Sequence, residues 1–131
     1  MNDALEFLKS AGVFYLATLD GGQPRMRPFG AVCGFEGRLY IVTTNDKPVY
    51  RQLKASPKAE ICACAGGAWM RIDGELQEDL RREARLAMLD ANPDLRAWYD
   101  ADDGLMSVFY FRCGVAQLYA AGAEKPEVHP L

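Results

Sequence analysis

The sequence predicts a mainly β protein with flanking helices, built as a closed or partly open antiparallel barrel of six to seven strands. Short runs rich in β-branched and aromatic residues recur along the chain, separated by turn signals that contain Gly and Asp. Segments with helical spacing of apolar residues lie between these runs. With 131 residues, half of them hydrophobic and a quarter charged, the chain has the size and composition of one globular domain.

The first half of the chain is expected to hold one helix and a three-strand meander. Apolar residues follow Asp3 at helical spacing and stop at Gly12, which is a suitable helix end. The strands are predicted at 13–19, 23–35 and 38–43. Pro28 lies inside the second run, and a proline there requires an edge position or a bulge.

The second half is expected to alternate helices and strands. A helix beginning near Pro48 must end before Pro57, because the residue ahead of a proline avoids the α conformation. The further segments are strands at 59–65 and 69–76, a helix at 79–89, and a closing hairpin of 105–112 and 115–120 around Cys113-Gly114. Residues 123–131 show no pattern and are expected to form a loose tail of a single domain over 1–131.

Composition excludes several classes of protein. The formal net charge of -3 argues against a nucleic-acid partner and against binding to an anionic membrane surface. No apolar run approaches the ~20 residues of a membrane span. The acidic start at 1–6 has no basic region before an apolar stretch, so we expect no signal peptide. With four cysteines in no disulfide pattern, the chain is expected to be cytoplasmic with reduced thiols.

Neither a metal site nor a histidine-dependent hydrolase is expected. Cys62 and Cys64 share one strand face, but a closed zinc site needs four ligands. The only histidine, His129, lies far away in the predicted tail. Buried thiols explain the cysteine pair better than metal ligands do.

Two arginines on one strand form the first candidate site. Arg25 and Arg27 are two residues apart and so share one face, while Met26 and Pro28 take the other. Two guanidinium groups this close repel each other unless an anion lies between them, and the arginine fork suits phosphate. The alternative is a solvated face of an edge strand.

The second candidate site is the run 43–48, from a strand end into a helix start. Free N–H groups and the positive end of the helix dipole favour a phosphate there, with Thr43, Thr44 and Lys47 as donors. Asp46 is expected to cap the helix, and an ordinary capped helix start is the alternative. If both segments adjoin in a meander, they converge on one anionic ligand. The glycine patterns of nucleotide-binding loops are absent.

The ordered set of motifs resembles the pyridoxamine-phosphate-oxidase-like flavoproteins. The resemblance extends over roughly residues 5–120 and rests on the runs Tyr15-Leu16-Ala17-Thr18, Asp20-Gly21, Pro24-Arg25-Met26-Arg27-Pro28, Leu39-Tyr40-Ile41-Val42-Thr43, Lys47, Val49-Tyr50, Gln52-Leu53, Ser56-Pro57 and Trp69-Met70-Arg71-Ile72-Asp73-Gly74. It implies an FMN-binding split β-barrel of Greek-key type. It also implies a homodimer with flavin at the subunit interface.

The resemblance also implies roles for particular residues. Arg25, Met26, Arg27, Pro28 and Phe29 would lie along the flavin ring and ribityl chain. Thr43, Thr44 and Lys47 would hold the phosphate, and Trp69 and Arg71 would line the pocket, including from the partner subunit.

Two departures from the family matter. Asp46 stands where the vitamin B6 oxidases of the family carry an arginine. Those oxidases are longer and end in a substrate-recognising segment with arginine and tryptophan, whereas 125–131 has nothing similar. We therefore expect a family member other than pyridoxamine phosphate oxidase itself.

Two functional hypotheses follow. The first is an FMN-dependent oxidoreductase that acts on an unidentified small molecule, with NADH or NADPH as a possible electron donor. The second is a non-catalytic flavin-binding or sensor module. Deazaflavin F420 in the same groove is a related alternative, and the shortage of histidine makes haem a weaker one.

Overall fold

The computed structural model describes all 131 residues and contains one antiparallel sheet of eight strands flanked by three α-helices. The helices are α1 (Asn2–Ala11), α2 (Pro48–Ala55) and α3 (Arg82–Ala91), followed by a short 3₁₀ helix at Pro93–Ala97. The strands are β1 (Phe14–Asp20), β2 (Gln23–Phe29), β3 (Val32–Phe35), β4 (Arg38–Thr44), β5 (Lys58–Ala65), β6 (Ala68–Asp79), β7 (Met106–Tyr119) and β8 (Glu127–Pro130). The predicted fold class is confirmed, with eight strands instead of six to seven. None of the helices is long and apolar enough to cross a membrane.

The order of the strands forces the sheet to curl. The order is β2-β1-β5-β6-β7-β4-β3, so the two end strands are consecutive in the chain and only Gly30 and Ala31 separate them. In a flat sheet, six steps of about 4.8 Å would place the end strands roughly 29 Å apart. The three peptide links from Phe29 to Val32 reach at most about 11 Å. The sheet therefore bends until its ends approach each other, although β2 and β3 do not pair.

The predicted strand at 23–35 is wrong as a single element. It divides into β2, which pairs with β1, and β3, which pairs with β4, and the break at Gly30 and Ala31 lets the chain pass from one sheet end to the other. The predicted meander is also wrong, because β2 and β4 are not neighbours in the sheet. The edge position required by Pro28 is confirmed, since β2 is an end strand.

The sheet has a core face and an outer face. On β1, Phe14 and Leu16 are fully buried, whereas Tyr15 between them is 48% exposed. Leu8 of α1 and Leu53 of α2 pack in the same buried cluster as these two residues. A second cluster, with Met88 and Leu89 of α3, lies between α3 and the strands β3, β4 and β7. Helices α1 and α2 therefore pack on the core face. Helix α3 packs on the opposite face where β3, β4 and β7 lie, because Tyr40 and Val42 of its cluster alternate along β4 with Leu39 and Ile41 of the first cluster.

The hairpin predicted around Cys113-Gly114 does not form. β7 continues through these residues, and Gly114 pairs with Gly74 of β6. A Cβ atom at Gly74 would lie 2.2 Å from the Cys113 carbonyl oxygen, so glycine permits a close backbone approach here and does not mark a turn.

The predicted loose tail also requires correction, because β8 lies within it. β4 pairs with β7 only as far as Tyr110, and β8 pairs with 115–118 farther along β7. An unpaired strand edge exposes backbone hydrogen-bonding groups, and β8 covers that edge.

The helix predicted at 79–89 begins later, because Asp79 ends β6 and anchors the turn into α3. Its carboxylate accepts hydrogen bonds from the Arg81 guanidinium at 2.9 Å, the Arg81 backbone N–H at 3.0 Å and the Tyr40 hydroxyl at 2.7 Å. Arg81 also binds Glu36 at 2.7 Å, in the turn between β3 and β4. The hydrogen bonds from Arg81 lower the pKa of Asp79 from its ordinary value of 3.8 to about 2. This network ties the end of β6 to β4 and to the β3–β4 turn.

We expect the Asp79 network to give a pH-dependent part of the free energy of unfolding. Because the folded-state pKa is depressed, the stabilisation is complete above pH 3.8 and is lost as the pH falls through about 2. The Asp79→Asn variant should lose on the order of 2 kcal/mol at pH 7, a difference from the unchanged protein that shrinks toward pH 2. Urea unfolding at several pH values measures this. The exposed Asp73→Asn serves as control, and a difference independent of pH would contradict the assignment.

Candidate functional site

Two adjoining cavities form a groove where the ends of the curled sheet meet. The first cavity, about 610 Å³, is bordered by 27–31, 42–43, Lys47, Val49, 91–95 and Tyr99. The second cavity, about 810 Å³, is bordered by 19–21, 25–27, 47–49, 51–52 and Ala55. Arg27, Lys47 and Val49 border both, so the cavities form one elongated groove. Each has a volume typical of small-molecule sites, which hold about 300–1,000 Å³.

The two candidate segments converge on this groove, although not through neighbouring strands. Arg27 lies on the end strand β2, and Lys47 directly precedes α2 after β4. The curl of the sheet brings them together, and not the meander that the sequence predicts.

Arg27 is held firmly by the chain itself. Its Nη1 donates to the Leu16 carbonyl oxygen at 3.1 Å and to the Thr18 hydroxyl at 2.8 Å. Its Nη2 donates to Gln52 Oε1 at 2.7 Å. Partial burial lowers the pKa of the Arg27 guanidinium, which nonetheless stays protonated in a protein. The alternative of a solvated arginine pair therefore does not describe Arg27.

The other residues of β2 differ from Arg27 in their surroundings. Arg25 borders the second cavity, is half exposed and binds Asp20 at 3.2 Å. Met26 is predicted to face away from both arginines, and it is 67% exposed. It nevertheless borders the second cavity together with Arg25 and Arg27. Pro28 and Phe29 border the first cavity.

At the start of α2, the predicted phosphate donors differ in availability. Thr43 borders the first cavity, whereas the Thr44 hydroxyl donates to Asp46 Oδ1 at 2.6 Å. The predicted capping by Asp46 is wrong, because Lys47 is the N-cap residue and no side chain caps the helix. The Asp46 carboxylate is bound to Thr44 instead and borders neither cavity.

Positive charge is concentrated in the second cavity of a protein that is acidic overall. Four cationic side chains border it against one carboxylate, that of Asp20, which is bound to Arg25. The cations are Arg25, Arg27, Lys47 and Arg51. The dipole of α2 adds positive potential at the Lys47 end. The net charge of the chain is -3, so this local excess favours an anionic group.

Trp69 and Arg71 lie on the outer face, away from the groove of their own chain. Their neighbours Met70 and Ile72 are buried in the core, so alternation along β6 turns Trp69 and Arg71 outward. Trp69 stacks on Tyr119 with ring centroids 4.1 Å apart, and the Arg71 guanidinium carbon lies 5.1 Å from the Trp69 ring centroid. Neither residue borders either cavity.

Several residues of the groove were not predicted from the sequence. Arg51 lies four positions after Lys47, a spacing that puts two side chains on one helix face. This spacing could have predicted Arg51 as a residue of the site. Thr18 and Gln52 join the site through contacts with Arg27 from two other elements. The wall at 91–95 and Tyr99 comes from a segment with no sequence signal for a site.

Comparison with known proteins places the chain among its relatives. The family model described as pyridoxamine 5'-phosphate oxidase matches residues 2–119. The chain belongs to this family. Among curated proteins, no match to this oxidase-family chain is found.

Solved structures agree with the family assignment. A NimC/NimA family protein from Clostridium acetobutylicum is 45% identical, with a TM-score of 0.95 over 100% of this chain and 93% of the other. General stress protein 26 from Bacillus anthracis is similar in fold at 12% identity, with a TM-score of 0.77 and coverage of 96% and 94%. A heme binding protein from Mycobacterium smegmatis shares the fold at 22% identity, with a TM-score of 0.74 over 97% of this chain and 57% of the other.

Proposed function

We propose that this oxidase-family protein binds FMN in the groove and acts in the cytoplasm as an FMN-dependent oxidoreductase on a small molecule. One observation carries the proposal. Arg27 and Lys47, from separate elements, border both a partly apolar cavity and a strongly cationic one. FMN has the matching pair of parts, a planar ring at one end and a phosphate at the other.

The first cavity suits the flavin ring. Its walls include the apolar side chains of Phe29, Val42, Val49 and Leu95, together with polar side chains that include those of Arg27, Thr43, Asn92 and Asp94. Such walls exclude water from a planar aromatic ligand while a small number of polar groups fix its orientation. Thr43 and Arg27 are polar residues on the border of this cavity that could play this part.

The second cavity suits the phosphate. Arg25, Lys47 and Arg51 supply charge, and the start of α2 adds the helix dipole. In this proposal Lys47 lies at the junction of the cavities and meets the phosphate end of the ligand. Met26 borders the second cavity, and Pro28 borders the first.

When bound, FMN supplies the hydride or electron transfer. The protein's own residues bind and orient the ring, and the charge of Arg27 stabilises negative charge that develops on it. This proposal needs no strong protein acid or base, and no histidine borders the groove. In this proposal a small substrate, and NADH or NADPH as electron donor, would approach the flavin from the side of 91–95 and Tyr99.

We further propose a homodimer in which the outer face supplies the partner's Trp69 and the partner's Arg71 to the flavin site. The strand register places Tyr15, Cys62, Arg71 and Gln117 in one row across β1, β5, β6 and β7. Tyr15 is 48% exposed in the monomer, an unusual share for an aromatic residue in the middle of a sheet. Helix α3 packs on this face where β3, β4 and β7 lie, but none of the four residues in the row is buried, which supports burial against a second subunit.

Replacing Lys47 should separate the two ends of the ligand. Lys47→Ala is expected to weaken FMN binding by about 1.5–3 kcal/mol, because one charge-assisted contact is lost. Riboflavin, which lacks the phosphate, should bind the variant and the unchanged protein alike. Flavin fluorescence titrations measure both affinities, with the exposed Lys9→Ala as control. Equal losses for FMN and riboflavin would remove Lys47 from the phosphate site.

An enzyme and a flavin carrier differ in their response to reductant. We expect NADH or NADPH to bleach the absorption of bound FMN within seconds under anaerobic conditions, at rates consistent with turnover. Stopped-flow absorbance measures the rate. Bound flavin that stays oxidised with both donors would favour the carrier or sensor.

A charge placed on the outer face should disrupt the dimer. Tyr15→Glu is expected to give a monomer with weakened FMN affinity, because a charge buried at an interface without a partner is unfavourable. Leu80→Glu, a similar change at a residue that is 74% exposed elsewhere, should leave the dimer intact. Sedimentation velocity at micromolar concentration measures the mass. A monomeric unchanged protein would contradict the dimer.

A further inference from the structure

Arg27, Thr18 and Gln52 form a closed hydrogen-bonded triangle at the junction of the two cavities. Arg27 Nη1 donates to Thr18 Oγ1 at 2.8 Å, and Arg27 Nη2 donates to Gln52 Oε1 at 2.7 Å. The Thr18 hydroxyl closes the triangle by donating to the same Gln52 oxygen at 2.6 Å. Thr18 is 3% exposed, so water competes little with these contacts.

The chemistry of arginine determines every proton position in the triangle. A guanidinium group has only donors, so Gln52 must present its carbonyl oxygen and Thr18 must present a lone pair. The Thr18 hydrogen then has only the Gln52 oxygen to reach within the triangle. The Gln52 side chain consequently turns its amide N–H₂ group away from Arg27. The donor and acceptor roles of Arg27, Thr18 and Gln52 are therefore fixed.

The triangle leaves part of Arg27 free for a ligand. Together with the Leu16 carbonyl, the chain engages both N–H groups of Nη1 and one of Nη2. Of the five guanidinium donors, the Nε–H and one N–H of Nη2 remain. These two atoms are adjacent on the guanidinium rim and suit a paired contact with oxygen atoms of one ligand.

The triangle also links the two halves of the groove. Thr18 belongs to β1, Arg27 to β2, and Gln52 to α2, the helix that begins next to Lys47. A contact between Gln52 and Arg27 therefore sets the separation between the strand and the helix that border both cavities.

We propose that Thr18 and Gln52 are positioning residues that hold the free edge of Arg27 toward bound FMN. The inference rests on the proposed function for its ligand, and on the geometry of the triangle for its mechanism. Neither residue has to touch FMN in this role. Their effect on the flavin passes through Arg27.

Matched variants separate this role from general stability. Thr18→Val removes the hydroxyl and keeps the shape, whereas Thr18→Ser keeps the hydroxyl. Gln52→Leu removes the acceptor, and Gln23→Leu is the control, because Gln23 is exposed on β2 and borders neither cavity. Arg27→Gln gives the reference for complete loss of the guanidinium.

FMN affinity and the reduction potential of bound FMN are measured for each variant, the latter at saturating FMN. Thr18→Val and Gln52→Leu should weaken FMN binding about tenfold and make the potential more negative, as Arg27→Gln does. Thr18→Ser and Gln23→Leu should stay within about twofold of the unchanged protein. A purely structural role would alter stability but not the potential. Thr18→Val and Gln52→Leu proteins with unchanged affinity and potential would overturn the proposal, as would an Arg27→Gln protein that keeps both.

A second readout needs no flavin. In the NMR spectrum of the flavin-free protein, a held guanidinium gives separate Arg27 Nη–H signals because its rotation is slow. These signals should persist in Thr18→Ser and merge or disappear in Thr18→Val and Gln52→Leu. If the unchanged protein binds no FMN, the proposed function is wrong. The proposal that Arg27 is directed toward FMN is then wrong as well. The NMR signals then still report whether Thr18 and Gln52 hold Arg27. If FMN binds but Thr18→Val keeps the signals, only the positioning role is overturned.

Discussion

Gly30 and Ala31 join the two end strands of the sheet, and five other strands lie between those ends. This short connection is incompatible with a flat sheet, and the curl that it requires determines the shape of the molecule. The groove forms where the ends approach. Arg27, three residues before the link, and Lys47, which follows β4, reach the same cavities for this reason.

The end strand β2 does not pair with β3, and side-chain hydrogen bonds help to hold it in place instead. β2 has a paired neighbour on one side only, and Pro24 and Pro28 suit such an edge. Arg27 fastens this strand to β1 and α2 through side-chain hydrogen bonds. A positively charged group thus becomes part of the structure and part of the candidate site at once.

The sequence predicts those features that depend on neighbouring residues in the chain, such as the effect of a proline on a helix or strand. The extent of α2 follows from Pro48 and Pro57, and the edge position of β2 follows from Pro28. The sequence could not show that Gly30 interrupts a strand while Gly114 continues one, because both glycines sit in similar apolar surroundings. The difference lies in the partner strand, where Gly74 faces Gly114. β8 likewise depends on a vacant edge of β7 that is visible only in three dimensions.

The residues of the candidate site likewise fall into those that the sequence predicts and those that only the structure shows. Charge and position identified Arg25, Arg27 and Lys47, and all three border the groove. Thr18 and Gln52 could not be found this way, because their importance comes from three elements meeting at one guanidinium. Trp69 and Arg71 were assigned through family resemblance alone. Because they lie on the outer face, the role proposed for them requires a second subunit.

The central claim is that the groove holds FMN, and the most direct measurement is the absorption spectrum of the protein as purified. We expect flavin bands near equimolar occupancy, with a chromophore that denaturation releases and mass spectrometry identifies as FMN. A colourless protein that also fails to take up added FMN would contradict the account. So would a released chromophore with the mass of deazaflavin F420 or haem.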